Sequence, residues 1–97
     1  MASRTLLSPE EQTRQLASLN GWNIVDGAIC KSFQFADFVT AWGFMSRVAL
    51  LAQQMDHHPD WRNVYNRVEI SLSTHSAGGI TGMDIALATQ IEQLEIG

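Results

Sequence analysis

The sequence predicts an α+β fold: a four-stranded antiparallel sheet with three helices packed on one face. Three observations point there. Helix-capping residues open three segments, at Ser8, Asp37 and Thr81. Strand-like runs flank Asp26-Gly27, the composition of a tight hairpin. Apolar and polar residues alternate cleanly over residues 64–72. These patterns locate three of the four strands.

Taken in order, Ser8-Pro9-Glu10-Glu11 combines a capping serine, proline at the first helical position and glutamate three residues after the cap. Leu16 and Leu19 give this helix a short apolar face. Asn20-Gly21 supplies a stop, because glycine tolerates the left-handed conformation at a helix end. Trp22-Asn23-Ile24-Val25 reads as a short strand, and Ile29, Phe33 and Phe35 as the apolar side of its hairpin partner, interrupted by Lys31.

Asp37 caps a longer helix predicted to reach Met55. Phe38, Trp42, Met45, Ala49 and Ala52 form one stripe; Phe44, Val48, Leu51 and Met55 form a second beside it. Together they span roughly 180°, wider than the ~100° needed to face one core. Either the helix is sunk in its own domain, or one stripe faces the sheet and the other a second subunit. A loop carrying Asp56, His57, His58 and Pro59 follows. Then comes the alternating run of residues 64–72, read as one continuous strand, and a Gly-containing loop. Thr81 caps the last helix, with Asp84 in its first turn where the helix dipole favours an acid.

The 97 residues are expected to form one domain, with 45% hydrophobic and 16% charged residues and no low-complexity segment or internal repeat. Net charge is −4 with only six Lys and Arg, which argues against direct nucleic-acid binding. The single cysteine, Cys30, has no intramolecular disulfide partner. No signal-peptide-like start and no stretch of roughly 20 apolar residues is present, so no membrane association is expected. An intracellular protein is the expectation.

The three histidines are the candidate chemistry. His57 and His58 precede the clean strand and His75 closes it. If that strand is continuous, its ends lie far apart, and the histidines meet only if the loop folds back. Three readings fit them. They are unrelated surface residues, or a metal site with nearby Asp56, or an acid–base pair that exchanges protons near neutral pH. Against a metal, no His-x-His or His-x₃-His spacing occurs, and neighbours in extended chain point opposite ways. No nucleophile elbow and no phosphate-binding loop is present.

His57-His58-Pro59, Tyr65 six residues on, His75 ten further and Asp84 nine beyond that form a spaced signature. It resembles that of the pterin-4a-carbinolamine dehydratases. The likeness runs through "DHHPDWRNVYNRVEISLSTHSAGGITGMDIALA" and back through "FQFADFVTAWGFMSRVALLA" to "LSPEE". The resemblance implies dehydration of 4a-hydroxytetrahydropterin to quinonoid dihydropterin, recycling the cofactor of aromatic amino-acid hydroxylases without metal or organic cofactor. It implies His57, His58 and His75 as the catalytic group and Asp56, Ser73, Thr74 and Ser76 as further pterin contacts. Gln53, Pro59, Trp61 and Asp84 are implied as further pocket residues. Gln53 departs from the family pattern, which usually carries a charged residue there, often glutamate. The resemblance also implies homodimers through the sheet, homotetramers through the long helix, and a cytoplasmic location extending to the nucleus. A second role goes with it: dimerisation cofactor or coactivator of a homeodomain transcription factor, through the Phe44-Val48-Leu51 stripe.

Overall fold

The computed structural model describes residues 3–94; residues 1–2 and 95–97 of the expected domain lie outside the described residues. Chain order is α1 (Pro9–Leu16), β1 (Asn23–Val25), β2 (Ala28–Gln34), α2 (Phe38–Met55), β3 (Asp60–Val64), β4 (Arg67–Leu72) and α3 (Gly82–Glu92). The four strands form one antiparallel sheet in the order β1-β2-β4-β3, and the helices gather on one face. The predicted fold class holds.

All three capping residues act as the sequence indicates. The Ser8 hydroxyl accepts from the Glu11 N–H at 3.2 Å. Asp37 accepts from the Thr40 N–H at 2.8 Å. Hydrogen bonds from Thr40, through its side chain first and then its backbone, hold the Asp37 carboxyl below the usual carboxylate range. Thr81 and Asp84 form a reciprocal capping box at the start of α3. The β1–β2 hairpin turns at Asp26 and Gly27, both at positive φ (51° and 77°), as the favoured two-residue turn requires.

Four details differ from the sequence reading. α1 ends at Leu16, before the Asn20-Gly21 stop. Bonds reaching back three residues, from Ala17 to Arg14 and Leu19 to Leu16, tighten the chain and tuck Leu19 into the core. Trp22 precedes β1: it is buried, and its indole N–H donates to Glu92 at 3.1 Å. The run at 64–72 is two strands, because the chain reverses at Tyr65-Asn66 and β3 pairs with β4 from Val64↔Arg67 to Asp60↔Ser71. Tyr65 sits at φ 52°, an uncommon conformation for a bulky residue, so the turn lacks the usual Gly or Asn-Gly marker. Finally, the core-facing side of α2 is Ala41, Phe44, Met45, Val48 and Ala52, which takes residues from both stripes. Phe38, Trp42 and Ala49 lie outside, while Phe44 and Val48 are in the core and unavailable to a partner. An apolar arc as wide as this one leaves the orientation of the helix undetermined by periodicity; the core settles between the two stripes.

The core lies between the sheet's inner face (Ile29, Phe33, Val68, Ile70, Leu72) and α2 and α3, where Leu87, Ala88 and Ile91 are fully buried. Phe44 packs its ring 4.9 Å from those of both Phe33 and Phe35, fastening α2 to the sheet. Lys31 resolves its misfit by lying along Phe33, with its ammonium 4.9 Å from the ring centre and bonded to Glu92 at 2.9 Å. Among the described residues no helix is long and apolar enough to cross a membrane.

Candidate active site

The end of α2 delivers the first histidine. Asp56 adopts a left-handed conformation (φ 51°), and its N–H bonds to Gln53 O at 3.2 Å. The His57 N–H then reaches Ala52 O at 3.0 Å. This pair of bonds is a Schellman-type stop, with aspartate at the position glycine usually takes. The stop turns the chain inward, so His57 is buried (5% exposed) while His58 remains exposed.

Beneath His57 lies Asp84, fully buried. The His57 Nε2 to Asp84 Oδ1 distance is 2.6 Å. The other carboxylate oxygen, Oδ2, accepts from the Thr81 N–H at 2.8 Å and the Thr74 hydroxyl at 2.9 Å. Since Thr74 gives its one proton to Asp84, the 2.7 Å contact between the two threonine hydroxyls has Thr81 as donor. Thr81 Oγ in turn accepts the Met83 N–H at 3.2 Å. Two assigned donors, the Thr81 N–H and the Thr74 hydroxyl, satisfy the carboxylate as an anion, and its short contact with Nε2 places an imidazole proton there. In the neutral ring Nδ1 is then the acceptor nitrogen of His57.

His58 is held differently. Its Nε2 lies 3.0 Å from Gln53 Oε1, five residues back in the last turn of α2. An amide oxygen only accepts, so Nε2 carries the proton here as well. His75 is exposed, in the turn after β4 where Gly78 N–H returns to Thr74 O at 2.9 Å.

The β3–β4 hairpin is what unites the histidines. It runs β3 back along β4, so the chain just after His58 lies beside the chain just before His75. A cleft of about 410 Å³ opens there, lined by His57, His58, His75, Asp56, Pro59, Ser73, Thr74 and Ser76, with Arg4, Asp60 and Ser71 completing it. That volume is in the range of small-molecule sites.

Eight of the eleven expected residues therefore line one cleft, and three do not. Asp84 stands behind His57 with no exposed surface, so its influence passes through that ring. Gln53 sits behind His58. Trp61 packs partly buried against the core, beside Ile70 across the ladder. Three lining residues escaped the sequence reading. Asp60 and Ser71 become readable once the hairpin is known, being directly paired. Arg4 carries no local signal: it reaches the cleft because residues 3–7 lie along the start of α3, with Leu7 N–H on Ile80 O at 2.9 Å. Its guanidinium donates to Asp56 O at 2.9 Å, bracing the α2 stop.

Fold and cleft together define a small α+β protein with a histidine-lined cleft of small-molecule size, one of whose histidines is backed by a buried carboxylate. The chain belongs to the pterin 4 alpha carbinolamine dehydratase family, whose sequence profile matches residues 5–94. A Paraburkholderia xenovorans protein provisionally named pterin-4-alpha-carbinolamine dehydratase is 54% identical over 90 residues, covering 91% of this chain and 94% of its own. A Brucella ovis protein of the same provisional name is 47% identical over 94 residues, covering 95% and 97%. The crystal structure of a transcriptional coactivator/pterin dehydratase from Brucella melitensis superposes with a TM-score of 0.86 at 48% identity, covering 89% of this chain and 94% of that one.

Proposed function

We propose that this protein dehydrates 4a-hydroxytetrahydropterin to quinonoid dihydropterin by histidine acid–base catalysis, returning the cofactor to aromatic amino-acid hydroxylation. The observation that carries the reading is the convergence of His57, His58 and His75 on one cleft, with Asp84 2.6 Å behind His57. The elimination breaks the C4a–O bond, the departing hydroxyl takes a proton and leaves as water, and loss of the N5 proton completes the C4a=N5 double bond. Two positioned proton-transfer groups are needed, and each contributes typically 10²–10⁴-fold. His57 suits the acceptor role: Nδ1 is its acceptor nitrogen, and buried Asp84 stabilises the imidazolium that results. His58 and His75, both exposed, exchange protons with solvent and suit the donor role. Ser73, Thr74, Ser76 and Asp56 offer hydroxyl, backbone and carboxylate partners along the cleft for the flat, polar pterin ring.

The test is a dehydration assay on freshly generated 4a-hydroxytetrahydropterin, run with and without chelator. Wild-type protein accelerates the reaction in both, and the triple His57, His58, His75→Ala protein does not. No acceleration by wild type overturns the reading, and chelator sensitivity overturns its metal-free form.

A second role rests on a different surface. Phe38, Val39, Trp42 and Leu50 are exposed on the outer side of α2 (47%, 76%, 58% and 72%), an apolar set of the kind that marks an interaction site. We infer that this face, in place of the buried Phe44 and Val48, joins copies of the chain into an oligomer and serves any transcription-factor partner. Val39→Glu with Trp42→Glu should dissociate the assembly in light scattering while dehydration survives. A wild-type protein that is strictly monomeric contradicts it.

A further inference from the structure

Besides the two histidine-bearing loops, the N-terminal arm also reaches the cleft, through Arg4. The arm is fastened on both sides of that residue. Ser3 O accepts the Met83 N–H at 3.2 Å, Leu6 forms an isolated bridge with Thr81, and the Leu7 N–H donates to Ile80 O at 2.9 Å. Arg4 therefore stands at the cleft on anchored backbone. Its guanidinium donates to Asp56 O at 2.9 Å, and the N–H of that same peptide unit, on His57, donates to Ala52 O at 3.0 Å. The peptide that carries His57 is clamped at both poles. A guanidinium offers five N–H donors in a rigid fork, and Arg4 makes one bond to the described residues. It has no ion-pair partner among them, so the rest of the fork is open to a ligand. We propose that Arg4 is a substrate-binding residue: it donates to the 4-carbonyl oxygen of the pterin ring and makes the cleft select 4-oxo over 4-amino pteridines.

The dehydration reading, on which this inference rests, puts a pterin in the cleft, and the lining divides by chemistry as the ring does. Arg4 is the only lysine or arginine among the described residues that line it. Ionised Asp56 and Asp60 only accept, the serine hydroxyls do both, and the histidines are engaged in proton transfer. On the pterin, the 2-amino group and N3–H donate while the 4-carbonyl oxygen accepts. A carboxylate suits the first edge and a guanidinium the second. A 4-amino group would instead turn N–H bonds toward the N–H bonds of Arg4, leaving both without an acceptor. Arg4 keeps its charge at any working pH, so it holds the ring without entering the proton transfers. Its side chain is exposed, which limits the contact to the strength of one hydrogen bond reached by solvent.

The experiment measures binding of 7,8-dihydropterin and of 2,4-diamino-7,8-dihydropteridine, its 4-amino counterpart, by fluorescence, alongside dehydration kinetics. Wild type should bind the 4-oxo ring more tightly. Arg4→Ala should reduce that preference by about three- to tenfold, the loss of roughly one hydrogen bond, and should lower kcat/KM mainly through KM. Arg4→Lys keeps the charge and a donor for Asp56 O but not the fork, and should fall between the two. A residue that only braced the Asp56–His57 peptide would weaken both ligands alike and lower kcat, leaving the 4-oxo to 4-amino ratio unmoved. An unchanged ratio in Arg4→Ala, or a wild-type protein that binds the two rings equally or binds neither, overturns the proposal. If wild type shows an Arg4-dependent preference for the 4-oxo ring yet does not dehydrate 4a-hydroxytetrahydropterin, the dehydration reading falls and the Arg4 contact stands.

Discussion

His57 and His58 are adjacent in the chain and occupy opposite environments. His57 is buried on a carboxylate that two further groups, the Thr74 hydroxyl and the Thr81 N–H, hold in place. His58 faces solvent with a single amide contact, and His75 across the cleft is equally open. The buried side has its protonation geometry fixed by the fold, so chemistry and stability depend on the same bonds. On the exposed side the two are separable. A single cleft can then hold one histidine of fixed orientation and others free to exchange protons with water.

The contrast is broken most severely at Asp84. Asp84→Ala leaves the Thr81 N–H, the Thr74 hydroxyl and the His57 ring without their acceptor. It should cost about 3 kcal/mol or more in urea unfolding, with dehydration lost. Asp84→Asn keeps much of the packing but replaces an anion with an amide, and should still lower kcat roughly 100-fold. On the open side, His75→Ala should give a comparable fall of roughly 100-fold in kcat, with unfolding free energy within about 0.5 kcal/mol of wild type. Equal destabilisation by the Asp84 and His75 substitutions would erase the distinction between the two sides.

Smaller effects sharpen it. Gln53→Glu sets a carboxylate where an amide now meets His58, stabilising the protonated ring. The pH–rate profile should change from that of wild type, modestly because the pair is exposed. An unchanged profile assigns Gln53 no electrostatic influence. Asp56→Gly should be the mildest change. It relieves a left-handed conformation and removes an acid from the negative end of α2, offset by extra freedom of glycine in the unfolded chain. A net gain of about 0.5 kcal/mol is expected in the same unfolding assay.

How far the sequence discloses this site depends on which forces are local. Ser8, Asp37 and Thr81 act within one turn of chain, and their roles were readable from their neighbours. Asp26-Gly27 likewise announces its hairpin. Tyr65-Asn66 does not: no glycine marks the reversal, and the apolar–polar alternation passes through the turn unbroken. Losing that turn hid β3 and, with it, the reason His75 lies near His58. Asp84 was legible as a helix-capping acid and through the family resemblance, but its pairing with His57 joins residues 27 apart through the packing of α3 against α2. The rotation of α2 was likewise a tertiary matter, since two apolar stripes offered the sheet equally good faces.

The left-handed stop at Asp56 also fixes how this chain can change by insertion. Backbone bonds at residues 52, 53, 56 and 57 end α2 and aim His57 in the same motion. Adding or deleting one residue in α2 ahead of that stop would turn everything beyond it by about 100° relative to the core-facing side. His57 would then swing off Asp84, or Phe44 off the sheet. The span from Phe44 to His57 thus behaves as a ruler of set length, and variation in chain length belongs outside it.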